Sequence, residues 1–241
     1  MTQAIRVWPA EKRYVSGADE DGVATAHAFS FAGHYDPENV NFGLLVACNE
    51  ETLAPGAGFA EHPHRDVEIV TWVVSGVLEH RDSHGNSTLV HPGDVQRLGA
   101  GSGVRHVERN AAGAGEPAAP VTRFVQMWLV PGVFGTEPEY EVVRGISDAT
   151  PFALPRTEAV LHVRRLTAGE PTELPSAEWL YVHLVAGAAA FEGAAVPTGE
   201  SAMLRAGDAA RVHGAERPRM RAGAAGAELL AWEMSGEPRY G

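Results

Sequence analysis

The chain has 241 residues, 31 acidic and 19 basic side chains, and a formal net charge of -12. Apolar residues are 44% and charged residues 21%, the balance of a globular chain rather than a disordered one. So acidic a chain exerts no general pull on nucleic-acid phosphates or anionic lipid, so direct nucleic-acid binding is not expected. One cysteine, Cys48, excludes an intrachain disulfide and suits a reducing compartment. The first nine residues lack an apolar core of signal-peptide length, and no stretch approaches 18 uninterrupted apolar residues. A cytoplasmic location without a membrane span is expected.

The length suits one large domain or two of roughly 120 residues. Glycine (27) and proline (16) punctuate the chain, and the runs between them are short and rich in Val, Leu, Thr, Phe and Trp. In chain order, Val67–Val74 is apolar on both faces, as a well-buried strand should be. Gly76 turns the chain, and Val77–Asp82 runs into the turn sequence Ser83–Asn86. His91–Asp94 is another turn, and Gly99–Gly103 permits a tight backbone approach. Arg123–Val130, Trp179–Val185 and Glu228–Met234 are further strand-like runs. No long segment keeps a 3.6-residue period. The expected class is mainly β, a sandwich or barrel. A boundary is expected between about 135 and 155, where Gly132–Pro138 and Ser147–Pro151 break the strand pattern, giving domains 1–145 and 146–241. The segment 113–120 reads as an exposed loop inside the first domain.

Six of the eleven histidines fall within residues 62–106. His62 and His64 are two apart, so in a strand they emerge on one face, where two imidazoles can converge on one metal. Pro63 cannot donate to a sheet ladder, which places this segment on an edge strand or at a strand end. His106 and Glu108 repeat the spacing. Facing each other across a barrel, the two pairs make a cage of three imidazoles and one carboxylate, a donor set for iron, copper, manganese, nickel, cobalt or zinc. Glu68 is a competing carboxylate. It keeps face parity with His64, but four residues of strand span about 13 Å. His84 and His91 sit at turns and read as surface residues; His80 reads as a candidate for the barrel mouth.

His62–Glu68, Asp82–Asn86, Pro92–Gln96 and Ala100–Glu108 resemble the signature of the cupins and, more closely, of the pirin family. Phe29–Phe31, Tyr35–Pro37 and Gly56–Phe59 resemble bacterial pirin-like proteins with quercetinase activity. The resemblance implies two cupin (jelly-roll β-barrel) domains in tandem. The first would hold one iron through His62, His64, His106 and Glu108. The second has no HxH; His183 reads as structural and the domain as a metal-free barrel. Asp66 and Ser102 depart from the family pattern without touching a ligand. The resemblance implies a dioxygenase that cleaves flavonols such as quercetin with O2 and releases carbon monoxide. Glu108 would then be both ligand and acceptor of the substrate's 3-hydroxyl proton. Two rivals remain: a non-enzymatic, metal-holding regulator of transcription or of a metabolic partner, docking on a transcription factor in response to the metal's oxidation state, and a cupin isomerase using the metal as a Lewis acid.

Overall fold

The structure, a computed structural model, describes residues 5–17, 21–113, 119–193 and 202–239. Of the loop expected at 113–120, residues 114–118 lie outside this set. The strands in chain order are β1 (Ile5–Trp8), β2 (Tyr14–Ser16), β3 (Val23–His27), β4 (Leu45–Leu53), β5 (Gly58–His64) and β6 (Glu68–Ser75). Then come β7 (Leu78–Asp82), β8 (Ser87–Val90), β9 (Val95–Gly99), β10 (Val104–Asn110), β11 (Thr122–Leu129) and β12 (Glu139–Val143). The series closes with β13 (Pro151–Ala153), β14 (Ala159–Leu166), β15 (Pro171–Glu173), β16 (Ala177–Glu192), β17 (Met203–Arg205), β18 (Ala209–Ala215) and β19 (Arg219–Met234). Among the described residues the one helical element is a 3₁₀ turn at Ala10–Lys12, and no helix is long and apolar enough to cross a membrane.

One compact unit comprises Tyr14–Asn41 and Leu45–Ile146. It has two antiparallel sheets, β12-β9-β6-β11-β4-β3-β2 and β5-β10-β7-β8. Leu53, Val73 and Phe124 from the larger sheet share one apolar cluster with Leu78 and Val90 from the smaller. The alternating inward side chains of both sheets therefore close on a common core, as in a jelly roll. Pro63 lies on β5, at the edge of the smaller sheet.

The other unit comprises Met1–Arg13, Phe42–Leu44 and Ser147–Gly241. Its eight strands run β1-β18-β16-β19-β14-β13, with β15 on β19 and β17 on β16. The division falls at Ile146/Ser147, but the chain does not split at one point. β1 pairs with β18, Ile5 opposite Val212, and Ile5 is buried in this unit's core. Strands β16 and β19 are 16 residues each, longer than the runs expected at 179–185 and 228–234. The difference is a glycine effect. Gly187, just past the expected run, sits at a register shift within the β16–β19 pairing. Its φ is +74°, and a Cβ there would strike the Gly226 carbonyl. Glycine lets the strand bulge and bend rather than stop.

Arg97 on β9 ties the larger sheet together. It is 2% exposed and donates to both carboxylate oxygens of Glu68 on β6, at 2.7 and 3.1 Å, and to Glu139 on β12 at 3.0 Å. Taking away one partner of such a buried pair strands the other charge, typically at a cost of about 3–5 kcal/mol. Arg97→Met is therefore expected to lower unfolding free energy at pH 7 by about that amount in urea denaturation. Arg97→Met combined with Glu68→Leu should recover most of it.

Candidate metal centre

Three neighbouring strands of the smaller sheet supply the site. On the β10–β5 side, His106 stands opposite His62 and Val104 opposite His64. On the β10–β7 side, His106 stands opposite Asp82 and Glu108 opposite His80. The β10–β5 register shifts between His106 and Glu108, where Ala60 and Glu61 face the single residue Val107. Such a bulge re-aims side chains. Here the His62 Nδ1 donates to the Ala60 carbonyl at 2.7 Å, inside the bulge. Gly58 makes the close approach possible, since a Cβ at that position would run into the Glu108 carbonyl.

The rings of His62, His64 and His106 have centroids 4.5–4.8 Å apart. One nitrogen from each lies within 4.8 Å of the others. Nε2 of His62 and Nε2 of His106 are 3.0 Å apart. Nε2 of His64 is buried without a hydrogen-bond partner. Burial, aided by neighbouring imidazoles, pulls His64 down to about 3. Burial likewise pulls His106 down to about 4, although Glu108 opposes it. Both rings are therefore neutral at pH 7, the form that binds metal. Converging neutral imidazoles with an orphaned buried nitrogen fit a first-row divalent ion.

Glu108 is 1% exposed and lies with His80 and His106 in a second cluster that shares His106 with the first. Both carboxylate oxygens are engaged from the larger sheet. Gln96 on β9 donates to Oε1 at 3.0 Å and Gln126 on β11 to Oε2 at 2.7 Å. Each glutamine is itself oriented by an aromatic donor, Tyr140 OH to Gln96 Oε1 at 3.0 Å and Trp128 Nε1 to Gln126 Oε1 at 3.1 Å. Burial alone would raise the Glu108 carboxyl. The neighbouring His106 and His80 and the two amide donors outweigh it and hold it below the usual carboxylate range. Each oxygen keeps a lone pair free for a further partner.

The other sequence candidates separate cleanly. Glu68 is consumed by Arg97. His84 and His91 are exposed. His80 is fully buried beside His106 rather than at a mouth. Asp66, at φ +51°, accepts from the Gly135 amide at 2.6 Å and so braces the β5–β6 turn. His183 is buried with Nδ1 3.0 Å from Arg13. Among the described residues, the second unit brings no three ligating side chains together. Sequence reasoning missed Asp82, Gln96, Gln126, Trp128 and Tyr140. One signal was available: His80 and Asp82 are a third pair at i, i+2.

A cleft of about 380 Å³, lined by Pro63, His64, Arg65, Ser83, Val104 and Arg105 among others, opens onto His64. A larger cavity of about 1000 Å³ lies at Phe59, Thr25 and Arg109, and none of the three imidazoles lines it.

The pirin family model matches residues 10–129. A pirin-like protein of Caulobacter vibrioides is 40% identical over 174 residues, 66% of this chain and 72% of the relative. This chain belongs to the pirin family. A Mycobacterium tuberculosis relative, provisionally named a quercetin 2,3-dioxygenase, is 37% identical to this pirin over 251 residues, covering 97% and 96% of the two chains. The solved bacterial pirin YhhW of Escherichia coli, in complex with nickel(II), matches it with a TM-score of 0.82 and 25% identity over 96% and 99% of the chains. Both units are accordingly cupin domains.

Proposed function

We propose that this pirin is a metal-dependent dioxygenase that opens a flavonol such as quercetin with O2 and releases carbon monoxide. One observation carries the proposal: His62, His64 and His106 converge with the His64 Nε2 buried and unpartnered. A relative aligned along nearly the whole chain carries the quercetinase name, which supports the same activity. The proposed ligands are His62, His64, His106 and Glu108, holding one divalent ion per chain. Fe(II) is the first choice, and copper, manganese, nickel, cobalt and zinc suit the same donors. Such an ion supplies a Lewis acid and redox centre for the deprotonated hydroxyl and carbonyl of the flavonol and for O2.

The chain's own residues do the rest. Glu108 accepts the 3-hydroxyl proton, held in place by the amides of Gln96 and Gln126. Arg65 and Arg105 line the cleft, each paired with a carboxylate, Asp66 and Glu61, and offer their remaining guanidinium N–H groups to a phenol oxygen. Trp128, packed edge-on against His64 at 4.8 Å, and Val104 give the ligand cluster an apolar flank. The test is loss of the flavonol absorption band on mixing Fe(II)-loaded protein with quercetin and air, with matching O2 uptake. His62→Ala should slow it at least ~100-fold, since losing a ligand outweighs losing a ligand's support. Failure of every one of the six metals to support O2-dependent loss would overturn the proposal.

A further inference from the structure

We infer that His80 and Asp82 form a relay that fixes the tautomer of His106 and so presents its Nε2 lone pair to the cluster with His62 and His64. The inference deepens the metal centre proposed above and rests on that ligand assignment.

Both nitrogens of His106 are engaged. Nε2 faces His62, and Nδ1 lies 3.5 Å from Nδ1 of His80. Nε2 of His80 in turn lies 3.3 Å from Oδ2 of Asp82. Asp82 is already the acceptor for three other donors: Asn86 Nδ2 at 2.8 Å, the Asn86 amide at 3.1 Å and the His84 amide at 2.9 Å. A carboxylate so surrounded only accepts, so the proton of His80 sits on Nε2. A neutral imidazole has one N–H, which leaves its Nδ1 bare. That bare nitrogen accepts the Nδ1 proton of His106, and the Nε2 of His106 is left with its lone pair toward the cluster. The same logic closes at His62, whose Nδ1 donates to Ala60 and whose Nε2 is bare.

The fold builds this relay deliberately. Asp82 stands directly opposite His106, and His80 opposite Glu108. Tyr140 stacks on His80 at 4.4 Å and 12°, which fixes the ring plane. His80 and His106 are 0% and 1% exposed, so water does not compete for the Nδ1 contact. Carboxylates commonly orient metal-binding histidines from behind. Here one more imidazole is inserted between carboxylate and ligand.

Two substitutions separate positioning from packing. His80→Phe keeps the ring and the stack on Tyr140 but has no acceptor. His80→Asn loses volume but returns an acceptor near the Nδ1 place. Nickel(II) is the probe, with affinity measured by titration and the melting temperature of the metal-free protein measured alongside. His80→Phe is expected to weaken nickel(II) binding roughly 10–100-fold, the usual effect of losing a ligand's partner. His80→Asn should recover part of it while melting no higher than His80→Phe. If affinity instead follows melting temperature, with Asn the worse of the two, His80 is only a packing residue and the relay falls. Should His80→Phe not fold, Asp82→Asn gives the same comparison, and unchanged nickel(II) affinity there also overturns the relay. In ¹⁵N-labelled, zinc(II)-loaded protein, His106 should carry Nδ1–H and His80 Nε2–H; His80 bearing both protons contradicts the inference. His62→Ala serves as the control. If it leaves nickel(II) binding intact, the ligand assignment fails and the relay with it. If it abolishes binding while His80→Phe does not weaken it, the relay alone fails.

Discussion

Glu108→Gln is expected to weaken metal binding by more than ~100-fold and to abolish aerobic flavonol turnover, while Glu68→Gln leaves metal content near normal. The two carboxylates have the same face parity relative to their histidines, and both are nearly fully buried. Their partners differ. Glu68 is neutralised by Arg97 through two hydrogen bonds. Glu108 meets no cation; its partners are two neutral amides and the neighbouring imidazoles. A buried carboxylate without a cation carries a standing desolvation cost, which a bound divalent ion relieves. Glutamine at 108 keeps the shape but removes the charge and the proton acceptor together. Losing support behind a ligand typically costs 10–100-fold in affinity, so losing a charged ligand should exceed that. Metal analysis of each variant and the decay of the flavonol band decide the matter. An empty site in Glu68→Gln with a loaded, active Glu108→Gln would reverse the assignment. Full metal content with no turnover in Glu108→Gln would make proton transfer its main role.

The metal-free protein is expected to be most stable near pH 6.5, losing stability steeply on the acid side and more gently up to about pH 8. His64 and His106 have native values near 3 and 4, below the ordinary 6.5 of an unfolded histidine. Below pH 6.5 the unfolded chain takes up protons that the native state refuses. Stability therefore falls as pH drops from 6.5 toward 4, by up to about 1.4 kcal/mol per pH unit for each ring. His27 and His162, both lowered chiefly by burial, act in the same sense. Glu51 works the other way. Burial on β4, together with the nearby Glu108, pushes its carboxyl up to about 8 even though the Thr25 hydroxyl of β3 donates to it. The folded state keeps this proton through the window from 4.5 to 8 while the unfolded chain gives it up. Its contribution is thus complete below pH 4.5 and lost as pH rises to 8, at about 1.4 kcal/mol per unit. Glu51→Gln should flatten the limb between pH 6.5 and 8 and, by removing an opposing slope, steepen the acid limb between pH 4.5 and 6.5. Urea midpoints across pH 4–9 for both proteins provide the check. An acid limb undiminished after removal of both His64 and His106 would contradict the histidine account.

Period-two spacing made much of the centre legible before any fold was known. Which face a side chain takes in a strand depends only on local backbone geometry, so His62 with His64 and His106 with Glu108 could be paired from the chain alone. Pro63 likewise announced an edge, because a missing N–H is a property of the residue and not of its neighbours. The absence of an α-helix among the described residues followed from the same local logic, in the lack of any sustained 3.6-residue period.

What the chain alone left open was every choice between equals that depends on distant partners. Strand spacing already favoured Glu108 over Glu68, but the partners that set the two apart, Arg97 on β9 and two glutamines from the opposing sheet, appear only in the fold. Gln96 and Gln126 are contributed by strands far apart in sequence, and nothing near either residue signals a carboxylate. His80 read as a candidate for the barrel mouth, and only β10, by laying His106 and Glu108 beside it, gave it those partners. The run expected at 179–185 continues through Gly187, because a glycine with positive φ serves turns and bulges alike, and only the pairing of β16 with β19 selects the bulge. β1 joined the second unit because Ile5 finds its apolar partners there, more than 150 residues downstream. Local geometry thus determined which way the side chains of this pirin point, and tertiary pairing decided what they meet.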